Sequence, residues 1–280
     1  MIKTPSRLAL LLSAPAFLAA WSQSLLAGPA VEPQPYTYEA TPKSEEFYRL
    51  IGIYQYFQAD YLGSANAVAY TLELESKFTF ERFEIENRII LDYADYPAEI
   101  EDFLGDPFPV NGAGSGFGDL LMGNFFAPKN QSEHFHWGFG PLMQAPTASD
   151  DHLGSGKWTL GPGVHLEYHK DRVSAGMFLW NSWSIAGDSK RKDVNQMTMK
   201  PYFIYELTDD WSLLYVPLGI SASWDKPSSQ RWKIPIGGGV GRKFHVGSQE
   251  LNFQTQGFYS VARPDKAAEW SLRFTLEMPF

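Results

Sequence analysis

Trp270-Ser271-Leu272-Arg273-Phe274-Thr275-Leu276-Glu277-Met278-Pro279-Phe280, the last eleven residues of the sequence, decide how the rest is read. Trp270, Leu272, Phe274, Leu276, Met278 and Phe280 alternate with Ser271, Arg273, Thr275 and Glu277. A repeat of two sets these groups on opposite faces of a strand. The apolar face carries large side chains without a break. A soluble sandwich strand could show the same pattern but would seldom finish on Phe. The arrangement is similar to the terminal assembly signal of bacterial outer-membrane barrels, with Phe280 as the expected signal residue. On that reading every other strand should turn an apolar face to lipid and a polar face to a lumen.

Residues 1–30 read as a cleaved signal peptide. Lys3 and Arg7 form a basic start, Leu8 to Ala20 is apolar apart from Ser13 and Pro15, and Ala27-Gly28-Pro29-Ala30 supplies small residues for cleavage. That core is too short for a spanning helix, and no later run reaches the length one needs. Residues 31–46 contain Pro33, Pro35 and Pro42 without periodicity, which predicts an extended periplasmic N-terminal segment or, alternatively, a small plug. The barrel is expected over 47–280.

Aromatic residues make up 15% of the chain and cysteine is absent, which excludes disulfide frameworks, thiol nucleophiles and cysteine metal sites. Removing the signal peptide takes away Lys3 and Arg7 and no acid, so the net charge moves from -9 to -11. An acidic chain with no basic stripe excludes nucleic acid as a partner. The partners expected are outer-membrane lipid, the barrel-assembly machinery and a small solute that the residues do not identify. No cofactor is implied.

The alternation recurs along the chain. Strands are predicted at Phe47–Gln58, where the parity is blurred, and at Tyr70–Phe80 and Phe83–Tyr93, where it is clear. With Glu81-Arg82 as a two-residue turn, Phe80 meets Phe83, Lys77 meets Glu86 and Glu75 meets Arg88. Ala94–Gly116, acidic and rich in Pro and Gly, predicts an exposed loop. Further strands are expected at Phe117–Ala127, His134–Ala145, Lys157–His169, Arg172–Ile185, Val194–Leu207, Trp211–Trp224, Arg231–Phe244 and Leu251–Val261. With the terminal strand the reading is an all-β, twelve-stranded antiparallel transmembrane barrel, with ten or fourteen strands as alternatives. Short turns such as Lys170-Asp171 and Asp209-Asp210 alternate with longer connections such as Thr147–Gly156 and Gly187–Asp193. That rhythm predicts periplasmic turns and outer loops.

Several segments resemble the outer-membrane barrel family associated with the MetA pathway of phenol degradation. They are Gly118-Asp119-Leu120 through Phe126-Ala127-Pro128-Lys129, the run W-G-F-G-P-L-M-Q-A-P-T-A-S-D-D-H-L-G-S-G-K-W-T-L-G-P-G from Trp137, N-S-W-S-I-A-G-D from Asn181, D-V-N-Q from Asp193 and W-S-L-R-F from Trp270. The resemblance spans roughly Tyr70 to Phe280, more weakly over Ala94–Gly116. It implies an outer-membrane barrel with a transport role and, from the family's name, hydrophobic or aromatic compounds. It supplies no catalytic or ligand residues.

Three function classes follow. A channel needs a charged lumen, and parity assigns the lining to Glu73, Glu75, Lys77, Glu84, Glu86, Arg88, His165, Glu167, Lys200, Lys233 and Arg273. A structural or adhesive barrel, sewn shut by ion pairs, needs no path. An outer-membrane hydrolase would need a nucleophile beside a histidine; Ser182 and Ser184 share the polar face near His165 and His169, but a Lys170-Asp171 turn sets His165 beside Gly176 and Glu167 beside Ser174. His165, Glu167 and His169 have alternate spacing that could hold a metal, although polar lumen lining explains them as well. Gly237-Gly238-Gly239-Val240-Gly241 lacks the Lys-Ser/Thr ending of a phosphate loop and sits in an alternating strand. Asp150, Asp151 and Asp188 read as solvated loop acids. The expectation is a channel without catalytic, metal or cofactor sites.

Overall fold

A computed structural model describes residues 47–59, 63–80, 82–96, 114–265 and 267–279. The signal peptide, the N-terminal segment, Glu81 and the Phe280 signal lie outside these residues. Fourteen strand segments follow in order: β1 (Phe47–Ala59), β2 (Gly63–Thr79), β3 (Phe83–Tyr96), β4 (Gly114–Phe117), β5 (Leu120–Pro128), β6 (Phe135–Ala145), β7 (Lys157–Lys170), β8 (Val173–Gly187), β9 (Asn195–Glu206), β10 (Trp211–Tyr215), β11 (Ile220–Ser223), β12 (Trp232–Val246), β13 (Gln249–Ala262) and β14 (Trp270–Pro279). Each pairs antiparallel with its neighbours, and β1 pairs with β14, so the sheet closes on itself. β4 and β5 share one stave of the barrel, as do β10 and β11, which leaves twelve staves. No helix among the described residues is long and apolar enough to cross a membrane. The crossing elements are strands.

Side chains alternate as the period of two requires. Phe78, Phe139 and Ile185 each expose more than half of their surface on the outer wall, while Ser271, Arg273, Thr275 and Glu277 are buried on the inner one. Rings run across neighbouring staves on the outside: Phe80 stacks on Phe83 at 4.8 Å, Phe83 meets Phe126 at 6.3 Å and Phe126 meets Phe139 at 6.3 Å. An aromatic rim of this kind suits a membrane interface.

The β2–β3 register matches the expectation: Lys77 faces Glu86, Glu75 faces Arg88, and the Phe80 amide donates to the Phe83 carbonyl at 2.9 Å. Elsewhere the structure corrects the sequence reading. β2 begins at Gly63, well before Tyr70. The segment assigned to a loop contributes strand at both ends, with Tyr96 paired to Gly114 and Ala94 to Gly116. The stave read as Phe117–Ala127 is interrupted at Gly118-Asp119, and the one read as Trp211–Trp224 at Val216–Gly219. The β7–β8 turn is Asp171-Arg172, with Asp171 at a φ of 53°. Lys170 therefore pairs with Val173, and the ladder moves by two: His165 faces Phe178 and Glu167 faces Gly176. The blurred parity of β1 has a cause too. Ile53 points inward into an apolar cluster while Tyr54 and Tyr56 face out against Phe274 and Trp270, so both faces are apolar.

Candidate functional site

The interior at the short-turn end is a charge network built from β2, β3 and β7. Lys77 Nζ lies 2.7 Å from Glu84 and 3.4 Å from Glu86. Arg88 lies 2.6 Å from Glu75 and 3.4 Å from Glu73. Each cation thus holds two carboxylates on a hairpin whose alternation points all six side chains inward. His165, from β7, reaches Glu86 at 2.8 Å and Glu167 at 3.5 Å. The β5 and β6 staves lie between β7 and β3, and glycine makes that reach possible. A Cβ on Gly138 of β6 would lie 2.3 Å from His165 Nε2, so any larger residue would push the imidazole away from Glu86. Among the described residues the network holds five carboxylates, two fixed cations and one histidine.

Above it, one side of the interior is apolar. Ile90, Leu121, Phe125, Leu142, Phe178 and Trp180 form a buried cluster on β3, β5, β6 and β8. Phe125 meets His165 edge-on at 5.2 Å and Phe178 at 5.5 Å, and Phe178 lies 4.6 Å from Trp180. Cations flank the strip: Arg88 sits 5.4 Å from the Phe178 ring centre, and Lys200 sits 5.8 Å from that of Trp180. The facing wall is polar. Glu277 accepts from Asn252 and Gln254, each at 3.1 Å, and Gln256 donates to Gln254 at 3.3 Å.

At the long-loop end, connections fold inward. Asp119, in the interruption between β4 and β5, accepts from the Ala148 amide at 3.0 Å, the Ser155 amide at 2.9 Å and the Ser155 hydroxyl at 3.1 Å. The Phe117 amide donates to Ser149 Oγ at 2.8 Å and the Leu120 amide to Thr147 Oγ1 at 2.9 Å. These bonds tie the β6–β7 connection to the wall and carry Leu153 into a second apolar cluster with Ile53, Ala67, Ala69 and Ala94. Arg191 donates to the carbonyls of Gly154 and Ser155, and Lys157 meets Asp193 at 3.0 Å, so the next connection straps over the first. Bonding from Lys157 and then Ser184 holds the exposed Asp193 carboxyl below the usual carboxylate range. Asp150, Asp151 and Asp188 are exposed, as expected of solvated loop acids, while Leu153, Gly154 and Ser155 of the same β6–β7 connection are buried.

The expected lining residues all face inward. Glu73, Glu75, Lys77, Glu84, Glu86, Arg88, His165 and Glu167 come together in one network, whereas Lys200, Lys233 and Arg273 stand apart from it. Lys200 lies opposite Phe178 in the ladder, Lys233 opposite the buried Ser221, and Arg273 stacks 4.9 Å from Phe258. The sequence reading missed the apolar members, Phe125, Phe178, Trp180 and Phe258, because inward aromatic residues break the polar-in rule used to find the wall. It also passed over Asp119, although the Gly118-Asp119-Leu120 motif already marked the place.

A serine–histidine contact does occur: His169 Nδ1 lies 2.8 Å from Ser174 Oγ. No carboxylate orients that imidazole among the described residues, and Ser182 and Ser184 lie toward the far end of β8. No group of three metal-ligating side chains that could hold an ion occurs among the described residues. The glycine run lies within β12, where a Cβ at Gly237 would meet the Gly257 carbonyl oxygen at 1.9 Å and one at Gly239 the Thr255 oxygen at 1.8 Å. Its role is close approach of two backbones.

A closed antiparallel ring with an apolar outside and a charged inside is an outer-membrane β-barrel, a protein of the bacterial outer membrane. Residues 54–276 match the family described as "Putative MetA-pathway of phenol degradation", and the chain belongs to that family. An outer membrane channel from Pseudomonas putida F1 shares the fold at a TM-score of 0.60 and 15% identity, covering 89% of this chain and 100% of its own. The NanC porin aligns at a TM-score of 0.47 and 12% identity, covering 82% and 98%. No curated protein matches the sequence.

Proposed function

We propose that the barrel is a channel that passes small solutes across the outer membrane, with its short turns in the periplasm and its long loops outside. The observation that carries this reading is the inner wall. It carries ionisable side chains from three strands on one continuous polar inner face, the lining that a water-filled lumen has. Beside the charges runs the strip of Phe125, Phe178 and Trp180, flanked by Arg88 and Lys200. A surface that is apolar in the middle, with the Lys200 ammonium at one margin and the acid-paired Arg88 at the other, suits hydrophobic or aromatic solutes with a negative or polar end.

Single-channel recording from the full-length barrel in a planar bilayer tests the reading, with liposome uptake of benzoate against a neutral sugar as the measure of solute class. Current steps with faster benzoate entry are expected. A folded barrel that passes neither would support a second reading, a structural or adhesive barrel. That reading draws on the His165–Glu86 contact, which spans two intervening staves and braces the interior.

A further inference from the structure

The stave formed by β10 and β11 loses its ladder at Val216-Pro217-Leu218-Gly219. Pro217 has no amide to donate, which suits a break in a wall otherwise paired on both sides. Inward parity also changes across it. Ser212 and Leu214 face in before the break, and Ser221 and Ser223 after it, so the intervening residues cannot continue one flat strand.

The backbone of Val216 is held from elsewhere. Its amide donates to Gln256 Oε1 at 2.9 Å, and its carbonyl accepts from Arg273 Nη2. Gln256 belongs to β13 and Arg273 to β14, two and three staves away around the ring. A peptide unit within the wall would bond to β9 and β12. Bonding to β13 and β14 requires that it has left the wall for the interior. Arg273 is itself fixed, with 3% of its surface exposed and its guanidinium over the Phe258 ring, which also meets Tyr215. At the other end of the segment, Leu218 packs against the cluster of Ile53, Ala67, Ala69, Ala94 and Leu153, whose wall members belong to β1, β2 and β3. These staves lie on the far side of the ring from β10 and β11.

We infer that Val216–Gly219 is an internal constriction in which Leu218 sets the size and polarity limit for solutes, and that Arg273 and Gln256 are the positioning residues that hold it across the interior. A ring of apolar groups at a narrow point excludes ions by shedding water, so the limit acts on hydration as well as on width. Arg273 thereby acts through a backbone carbonyl, unlike the charges of the β2–β3 network. The inference rests on the channel reading.

The test uses the full-length barrel in planar bilayers, with folding checked by heat-modifiable gel migration. Leu218→Gly should raise conductance about two-fold or more, and Leu218→Trp should lower it. Arg273→Ala should raise it as Leu218→Gly does, and the double variant should add little, because both release one constriction. Arg273→Lys should recover part of the wild-type limit. Should Arg273→Ala fail to insert, Gln256→Ala removes the other clamp and carries the same expectation. A silent wild type that conducts once Leu218 is replaced by Gly would also support the constriction. A conducting wild type whose current is unchanged by either Leu218 substitution would overturn it while leaving the channel reading intact. If Arg273→Ala and Gln256→Ala fold but leave conductance and solute limit unchanged, the positioning role is wrong. Silence in both wild type and Leu218→Gly would overturn the channel reading and the inference with it.

Discussion

The β2–β3 hairpin and the two interrupted staves solve the same problem differently. In the hairpin every residue keeps its face, and side chains bond to side chains: Lys77 with Glu84 and Glu86, Arg88 with Glu73 and Glu75. At Gly118-Asp119 and Val216–Gly219 the ladder stops, and side chains bond to backbone: Asp119 to Ala148 and Ser155, Arg273 and Gln256 to Val216. The first arrangement leaves charges standing on a wall. The second draws chain into the interior and holds it there. A barrel can thus shape its lumen with lining side chains in one region and with displaced backbone in another.

The largest effect is expected where displaced backbone depends on one acceptor. Asp119→Ala strands the Ala148 and Ser155 donors, and orphaned buried donors cost about 1–3 kcal/mol each. Loss of about 3 kcal/mol in urea unfolding is expected, with new protease cleavage near Asp150-Asp151 on intact cells. An unchanged midpoint with a still-protected loop would mean the connection is held by its other bonds.

Next comes the hairpin. Arg88→Glu gathers Glu73, Glu75, Glu86 and a new acid without the cation that held two of them. Because Glu73 is buried and loses a cation, insertion is checked first by heat-modifiable gel migration; in the inserted barrel the reversal potential shifts toward cations and Glu75→Arg partly restores it. No shift in a conducting variant would remove these residues from the path. A smaller effect tests the register alone. Phe80→Ala loses a stacked pair with Phe83 worth about 0.5–1.5 kcal/mol, read as a modest fall in unfolding midpoint with conductance unchanged.

The smallest is a pH effect at the outer strap. Bonding from Lys157 depresses the Asp193 pKa, so its stabilisation is complete above the ordinary carboxylate value of about 4 and is lost as pH falls through the lowered folded value. Protease protection of the 188–194 connection should therefore weaken only in strong acid. Asp193→Asn should show weaker protection at neutral pH and no further acid loss.

Much of the barrel is legible in the sequence. Period-two alternation forces outward Phe78 and inward Lys77 whatever the neighbours are, and a two-residue turn then fixes Lys77 against Glu86. Legibility failed where the interior is apolar. Inward Ile53, Phe125 and Trp180 erase the contrast between faces, so β1 looked blurred and the aromatic strip went unseen. It failed also at Asp171-Arg172, where a turn placed one residue along moved the β7–β8 ladder by two.

Strand faces, the antiparallel barrel class and the hairpin ion pairs can be read along the chain, because they follow from local periodicity and adjacent pairing. That His165 meets Glu86 across Gly138, that Asp119 gathers the β6–β7 connection and that Arg273 and Gln256 hold Val216 emerges only in the folded ring. The first and last of these join staves that are not neighbours, and the second joins an interrupted stave to chain outside the ladder. They depend on how a closed ring brings its inner wall together, a geometry that no repeat along the chain encodes.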